Sequence, residues 1–248
     1  MRDVAIVTIR NSSTRLPNKA IMKIKGDIRS IDIVIQRAKQ TGFPVILATS
    51  THESDDEFEE IAKQYKIHLF RGSLLNKIKR WYDCFVQFDI QNALLLDGDD
   101  LCHDFNLGKK SLVLLKEKKI HMVINPPDIV TGLFTCAINK EGISRLYNLV
   151  QSDGCDTDVI TKFVENAELK TEFIELNNFQ RKKNIRLTLD YPEDLEFFRE
   201  LYDKVHILDD ITKVVEFLTT NKNLTEINYH REKDFLENQK KFNESFNL

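Results

Sequence analysis

The sequence is poor in residues that break or divide a chain. Its 248 residues include only 8 glycines and 5 prolines, and no segment rich in serine and proline separates one part from another. Internal repeats and low-complexity tracts are absent from it as well. Because 42% of the residues are hydrophobic, the chain can bury a sizeable core. We therefore expect a single domain over residues 1–248.

Other absences exclude whole classes of protein. A formal net charge of −3 gives no global basic field of the kind that attracts nucleic acid. No apolar stretch is long enough to span a bilayer, and the run at 4–9 is too short for a secretory signal. The 4 cysteines form no Cys-x-x-Cys pair, which is typical of reduced thiols. We expect a cytoplasmic protein without nucleic-acid or membrane partners.

Short apolar runs alternate with amphipathic segments in the first part of the chain. The runs predict strands at 4–9, 44–49, 67–70 and 92–97, and the periodicity between them predicts helices at 30–41, 54–65 and 74–87. This alternation predicts right-handed crossovers and a Rossmann-like, mostly parallel α/β sheet flanked by helices.

The pattern is less regular after residue 104. It predicts further helices and strands, followed by a polar, helical tail at 225–248 that we expect to dock on a partner subunit. The predicted helices are 108–118, 139–151, 156–165, 192–203 and 209–219, and the predicted strands are 120–125, 131–138, 169–176 and 185–190.

The segment "IRNSSTRLPNKAIMKIKG" (9–26) directly follows the first predicted strand and combines cations with hydroxyl groups. The residues concerned are Arg10, Ser12, Ser13, Thr14, Arg15 and Lys19. A turn of backbone N–H groups flanked by cations is suited to a polyphosphate. The segment lacks the glycine spacing of a Walker A loop. On composition alone, a solvated basic loop is the alternative.

Acidic residues end two other predicted strands. "LLLDGDD" (94–100) places Asp97, Asp99 and Asp100 after an apolar run, and "LTLDYPEDLEFF" (187–198) places Asp190 before a predicted helix. Carboxylate oxygens suit Mg²⁺ or Mn²⁺, whereas an Asp-Gly surface turn and a helix cap are the structural alternatives. Because ligands bind at the carboxyl ends of parallel strands, we expect these aspartates and the loop at 10–20 to share one crevice.

Together these segments resemble a known family. "RNSSTRLPNKAIMKIKG" is similar to the nucleotide-binding signature of the CMP-sugar synthetase superfamily, Arg-x-x-Ser-Thr-Arg-Leu-Pro-Gly-Lys. "LFRGS" (69–73), "LLLDGDD" and "RLTLDYPEDLEFF" follow the order and spacing of the spore-coat polysaccharide type of cytidylyltransferase. "EINYHREKDF" (226–235) resembles the end of that branch. The departures are Asn18 in place of the usual glycine, Asp97 in place of threonine or glutamine, and Asp100-Leu101 in place of a residue followed by proline.

The resemblance implies an enzyme that joins CTP to an anionic sugar, a 2-keto sugar acid, giving CMP-sugar and pyrophosphate for surface polysaccharide. It implies Mg²⁺, with Mn²⁺ as the alternative, on Asp99 and Asp190, and catalytic roles for Arg15, Lys19 and Asp99. It also implies a homodimer formed through an insert near 120–180. The implied nucleotide-binding residues are Arg10, Ser12, Ser13, Thr14, Arg15, Lys19, Thr49, Arg71 and Asp97.

Three alternatives stay open at this stage. "DGD" (97–99) also fits the Asp-x-Asp motif of glycosyltransferases that use sugar nucleotides. A cytidylyltransferase could act on a phosphonate or a sugar phosphate instead of a sugar acid. A homologue that binds nucleotide without catalysis is the third.

Overall fold

The structure, a computed structural model, describes residues 1–12, 15–150, 152–181 and 184–245. Within these residues the strands are β1 Asp3–Thr8, β2 Lys23–Lys25, β3 Ile28–Arg29, β4 Val45–Ser50, β5 His68–Gly72, β6 Asn92–Asp97, β7 Met122–Ile124, β8 Cys136–Asn139 and β9 Thr171–Phe173. The helices are α1 Ser30–Lys39, α2 Glu57–Tyr65, α3 Lys77–Gln87, α4 Phe105–Glu117, α5 Lys140–Leu149, α6 Thr161–Asn166, α7 Pro192–Lys204, α8 Ile211–Thr220, α9 Lys222–Glu226 and α10 Arg231–Ser245. None of the helices in these ranges is long and apolar enough to cross a membrane.

Seven strands form one mixed sheet in the order β5-β4-β1-β6-β8-β7-β9. The pairs β5–β4, β4–β1 and β1–β6 are parallel, whereas β8 runs antiparallel to both β6 and β7. The predicted α/β fold with a mostly parallel sheet is therefore confirmed. β4 lies on one side of β1 and β6 on the other, so the strand order switches direction at β1. A crevice is expected outside the carboxyl ends of strands at such a point.

The core lies on both faces of this sheet. Along β1, Ala5 and Val7 belong to one apolar cluster and Val4 and Ile6 to the other, as the alternation of side chains along a strand requires. The first cluster includes residues of α1, α2, α7 and α8, and the second includes residues of α3 and α5. Each fully buried Val or Ile side chain stabilises the fold by about 1.5–3 kcal/mol. Burial on both faces explains the uninterrupted apolar run.

The prediction of a strand at 185–190 is wrong. This segment is extended, but its ladder contact is a single bridge between Arg186 and Thr131. Its amide groups instead donate across two loops, from Leu187 to the Thr131 carbonyl (2.9 Å) and from Leu189 to the Asp99 carbonyl (2.9 Å). The segment therefore crosses the end of the sheet and joins the loop after β6 to the turn at 130–133.

The strands after residue 120 are shorter than predicted. The strand predicted at 131–138 is present only as β8, because Gly132 has φ +90° and turns the chain. A Cβ atom at this glycine would lie 2.2 Å from the Leu187 carbonyl oxygen, so the turn and the crossing segment require glycine here. The β2–β3 hairpin was not predicted. The role of residues 120–180 as a dimerisation insert stays a prediction.

Candidate active site

The ammonium group of Lys19 lies between two carboxylates at the carboxyl edge of the sheet. Its Nζ atom donates to Asp99 Oδ2 at 2.5 Å and to Asp190 Oδ1 at 2.9 Å. The three residues come from the loop after β1, the loop after β6 and the segment before α7. The three segments therefore meet at one place, as expected.

The local backbone explains how Lys19 reaches this position. Asn18 adopts φ 58° and ψ 22°, the left-handed conformation that asparagine tolerates better than most residues. A short 3₁₀ turn, Lys19–Ile21, follows, and Ser30 Oγ donates to the carbonyls of Lys19 (2.5 Å) and Ala20 (2.7 Å). The pKa of Lys19 is raised: burial opposes the charged form, but the negative charges of Asp99 and Asp190 outweigh it. Lys19 therefore stays charged.

Asp190 is buried among cations. Its Oδ1 accepts from Arg15 Nη2 at 2.7 Å as well as from Lys19, and its Oδ2 accepts from Arg186 Nη2 at 3.2 Å. Burial opposes ionisation, but the charges of Lys19, Arg15 and Arg186 outweigh it and hold the pKa of Asp190 well below its usual value. The N-cap residue of α7 is Tyr191 and not Asp190, and Asp194 in the first turn accepts through Oδ2 from the amides of Asp190 and Tyr191. The capping alternative for the Asp190 side chain is therefore wrong.

The loop after β6 carries more negative charge than its neighbours neutralise. The pKa of Asp99 is raised by loss of solvation and by the charges of Asp190 and Asp97, in spite of the contact with Lys19. Burial and the charge of Asp99 also raise the pKa of Asp100.

Gly98 allows this loop to pack closely against the residue after β1. An added Cβ at Gly98 would lie 2.6 Å from Ile9 Cδ1, so glycine lets the two loops approach each other. The loop is therefore held tightly against the end of β1.

These residues fit a divalent cation that keeps several ligand positions for water and substrate. Asp99 and Asp190 supply carboxylate oxygens, which are hard donors. One oxygen of each lies within hydrogen-bond distance of the Lys19 ammonium group. In the part of the chain that the structure describes, no group of three or more His, Cys, Asp and Glu side chains is arranged to hold a metal. Mg²⁺ is usually bound by one or two carboxylates, with phosphates and water completing its shell. Asp99 and Asp190 would hold such an ion.

A second charged cluster adjoins the first. Arg10 Nη1 donates to the Leu74 carbonyl at 2.9 Å, and its Nη2 lies 3.3 Å from Asp158 Oδ1. Lys77 Nζ lies 3.3 Å from Asp97 Oδ1 and 5.2 Å from the centre of the Trp81 ring. Lys77 was missed by the sequence analysis, since a lysine at the start of a helix looks like a solvated residue. The asparagine cap before it is the signal that could have placed it near the loops.

Other predicted nucleotide-binding residues make different contacts. Thr49 is buried and donates to Asp55 Oδ2 at 2.8 Å. Arg71, on the edge strand β5, is held by Asp56 and Glu59 at 2.6 Å each. Ser12 is exposed, and Ser13 and Thr14 lie outside the described residues. The structure therefore brings together Arg15, Lys19, Asp99 and Asp190, but it does not bring Thr49 or Arg71 into contact with them.

Known proteins of similar sequence point to one family. A family model described as cytidylyltransferase matches residues 4–125. Spore coat polysaccharide biosynthesis protein SpsF of Bacillus subtilis is 26% identical over 234 residues, which cover 90% of this chain and 96% of SpsF. An uncharacterized protein of Methanocaldococcus jannaschii is 24% identical over 242 residues, covering 96% of this chain and 99% of that protein.

Solved structures share the fold. A cytidylyltransferase from Leptospira borgpetersenii serovar Hardjo-bovis has a TM-score of 0.82 at 23% identity, over 91% of this chain and 97% of that one. CMP:2-keto-3-deoxy-manno-octonic acid synthetase, solved in complex with CTP, has a TM-score of 0.64 at 15% identity, over 82% of this chain and 99% of that one. The family model, the relatives that span nearly the whole chain and the shared fold agree: this chain is similar in sequence to cytidylyltransferases and has the fold of nucleotidyltransferases.

Proposed function

We propose that the chain transfers the cytidylyl group of CTP to an anionic sugar, a 2-keto sugar acid, and releases pyrophosphate. The observation that carries the proposal is the Lys19 ammonium group held between Asp99 and Asp190 beside Arg15. Two similar proteins support the choice of substrates. One relative is a spore coat polysaccharide biosynthesis protein, and one protein with the same fold is a CMP-sugar-acid synthetase solved with CTP.

The triphosphate would bind along the basic loop, residues 10–20. Arg15 and Lys19 would neutralise the β- and γ-phosphates, where negative charge accumulates as pyrophosphate leaves. The acceptor hydroxyl oxygen bonds to the α-phosphorus in line while the bond from that phosphorus to the pyrophosphate oxygen breaks. Mg²⁺ bound to Asp99 and Asp190 would supply charge neutralisation at the α-phosphate and a lower pKa for the attacking hydroxyl.

The acceptor would lie beside the second charged cluster. Two cations remain besides Arg15 and Lys19: Lys77, and Arg10, which we now assign to the acceptor and no longer to the nucleotide. Contacts with Asp97 and Asp158 fix them. A fixed cation binds a carboxylate more tightly than a flexible one because less side-chain entropy is lost. The carboxylate of a sugar acid would bind here. A sugar phosphate or a phosphonate carries the same kind of charge, and an acceptor panel distinguishes them.

The remaining features of the proposal concern its setting and the alternatives. A cytoplasmic homodimer that supplies CMP-sugar for surface polysaccharide is the expected setting. A glycosyltransferase would bind a nucleotide diphosphate, which has less need of the cations of the basic loop. The match to the cytidylyltransferase family model also favours transfer of CMP over transfer of a sugar. The contact of Lys19 with both Asp99 and Asp190 argues against a non-catalytic homologue.

The test is pyrophosphate release from each nucleoside triphosphate with Mg²⁺ and a panel of sugar acids, sugar phosphates and phosphonates. We expect release with CTP and at least one sugar acid, and none from CTP alone. If pyrophosphate is released with a sugar phosphate or a phosphonate but with no sugar acid, that compound class would replace sugar acids as the proposed acceptor. Failure with every acceptor, while CTP binds, would support a non-catalytic homologue.

A further inference from the structure

Arg186 is fully buried and lies among three carboxylates. Its guanidinium donates to Asp190 Oδ2 (3.2 Å), to both Asp194 oxygens (3.0 and 3.1 Å) and to Glu232 Oε2 (3.2 Å). It also lies over the Phe235 ring, 4.8 Å from its centre. One buried positive charge therefore faces three carboxylates.

Two of these partners belong to the segment "EINYHREKDF" (226–235), which has no part in the proposed reaction. Glu232 and Phe235 contact the guanidinium, and Asn228 Nδ2 donates to the Arg186 carbonyl (3.2 Å) and to Asp194 Oδ1 (2.9 Å). Glu232 is itself fixed, because its Oε1 accepts from Thr131 Oγ1 at 2.6 Å. The C-terminal segment thus reaches Asp190 through a single intermediate residue.

The arrangement decides how much of the Asp190 charge is already neutralised. Asp190 Oδ1 is occupied by Lys19 and Arg15, so Oδ2 is the oxygen left for a further ligand. Arg186 contacts that oxygen and would compete with a cation for it. Because Glu232 and Asp194 also face Arg186, the guanidinium charge is divided among three acceptors. Without the charge of Glu232, more of the Arg186 charge would fall on Asp190.

We propose that Glu232 is a positioning residue that holds Arg186 and shares its charge, so that Oδ2 of Asp190 stays able to bind a divalent cation. This inference rests on the proposed function, since it assumes that Asp190 holds Mg²⁺ in the complex with CTP. Residues around a metal site that orient its ligands typically change metal affinity about 10–100-fold when replaced. A role in packing alone would lower stability without changing the requirement for the metal.

Three full-length variants separate these roles. Glu232→Gln removes the charge and nearly keeps the shape, and Glu232→Asp keeps the charge and shortens the side chain. Glu237→Gln is the matched control, because Glu237 lies on the same helix, is half exposed and pairs only loosely with Lys233 (3.8 Å). For each, the thermal shift produced by Mg²⁺ at a fixed CTP concentration is titrated, and kcat is measured against Mg²⁺.

We expect Glu232→Gln to raise the Mg²⁺ concentration for the half-maximal thermal shift about tenfold. Its kcat at saturating Mg²⁺ should stay close to that of the wild type. Glu232→Asp should unfold at a lower temperature but keep nearly the wild-type Mg²⁺ requirement, and Glu237→Gln should match the wild type in both. If Glu232→Gln does not fold, Thr131→Val, which releases Glu232 and leaves its charge, should raise the Mg²⁺ requirement by a smaller factor.

An unchanged Mg²⁺ requirement in Glu232→Gln, or in Thr131→Val when that variant replaces it, would overturn the inference and leave a network that only stabilises the fold. An equal rise in Glu232→Gln and Glu232→Asp would also overturn it, because charge would then not be the cause. If the wild-type chain itself shows no response to Mg²⁺ with CTP, the proposed function fails and this role of Glu232 fails with it. The wild-type titration therefore distinguishes the two failures.

Discussion

Lys19 is the side chain whose replacement should affect CTP and CMP differently. If its ammonium group neutralises the β- and γ-phosphates, Lys19→Ala should weaken CTP binding by roughly 1.5–3 kcal/mol and lower kcat, with a much smaller effect on CMP. Calorimetric titration with both nucleotides measures this. Lys23→Ala, which removes an exposed lysine paired with Asp27, is the matched control. An equal loss for CTP and CMP would mean that the loop binds the nucleotide in another orientation.

Asp99 and Asp190 should be needed for turnover more than for folding. Asp99→Asn and Asp190→Asn remove one charge each from the proposed Mg²⁺ ligands, and we expect turnover to fall at least about 10²-fold. Circular dichroism should show a folded chain in both. Near-normal activity of either variant at saturating Mg²⁺ would remove that residue from the metal site.

Individual residues differ in how well the sequence predicted their contacts. Lys19 and Asp99 were predicted to meet because the apolar runs before them end at one edge of a parallel sheet. Asp190 was predicted to join them from a strand that the structure does not contain, and it reaches them from a segment that crosses the end of the sheet. Lys77 was not predicted, since its position depends on where α3 begins relative to β6. Arg71 was expected to bind the nucleotide, but it pairs with Asp56 and Glu59 at the start of α2, and no periodicity in the sequence indicates that pairing.

At the scale of elements, the turn at Gly132 should be intolerant of a side chain. Its φ of +90° is strained for any L residue with a Cβ atom, and that atom would meet the backbone of the segment before α7. We expect Gly132→Ala to lower the free energy of unfolding by about 1–3 kcal/mol. Urea denaturation measures the loss. Gly154→Ala is the control, because the nearest atom to its Cβ would be 3.8 Å away. Equal stability of the two variants would contradict this account of the turn.

The same region shows why one element was predicted wrongly. Residues 185–190 alternate apolar and polar side chains, which is typical of a strand with one solvated face. In the structure both faces are buried, with Arg186 at 0% and Asp190 at 1% exposure. The polar face packs into the carboxylate network around Arg186 instead of into water. The parallel strands were predicted correctly because their apolar runs require burial on both faces.

For the whole molecule, a buried histidine should make stability fall in weak acid. Burial and the positive charge of Arg37 lower the pKa of His103 from 6.5 to about 3. The folded state then keeps His103 neutral while the unfolded state binds a proton, so stability is full above pH 6.5 and is lost as the pH falls from there toward 3. The loss should approach ~1.4 kcal/mol per pH unit.

The prediction is tested on the difference between wild type and His103→Gln, because the contributions of other groups cancel in it. Unfolding free energies between pH 7 and pH 4.5, at roughly constant ionic strength, should show a shallower acid limb in the variant. His52→Gln, at an exposed position, is the control. Parallel curves for wild type and His103→Gln would show that His103 is not the group responsible.

The central claim, transfer of CMP from CTP to an anionic sugar, is tested most directly by following two labels. The chain is incubated with Mg²⁺, an acceptor sugar acid and CTP labelled with ³²P at either the α- or the γ-position. The account predicts that the α-label appears in the sugar product and the γ-label in pyrophosphate, and that Lys19→Ala slows both equally. No transfer of either label, together with tighter binding of a nucleotide-diphosphate sugar than of any triphosphate, would contradict the account and favour a glycosyltransferase.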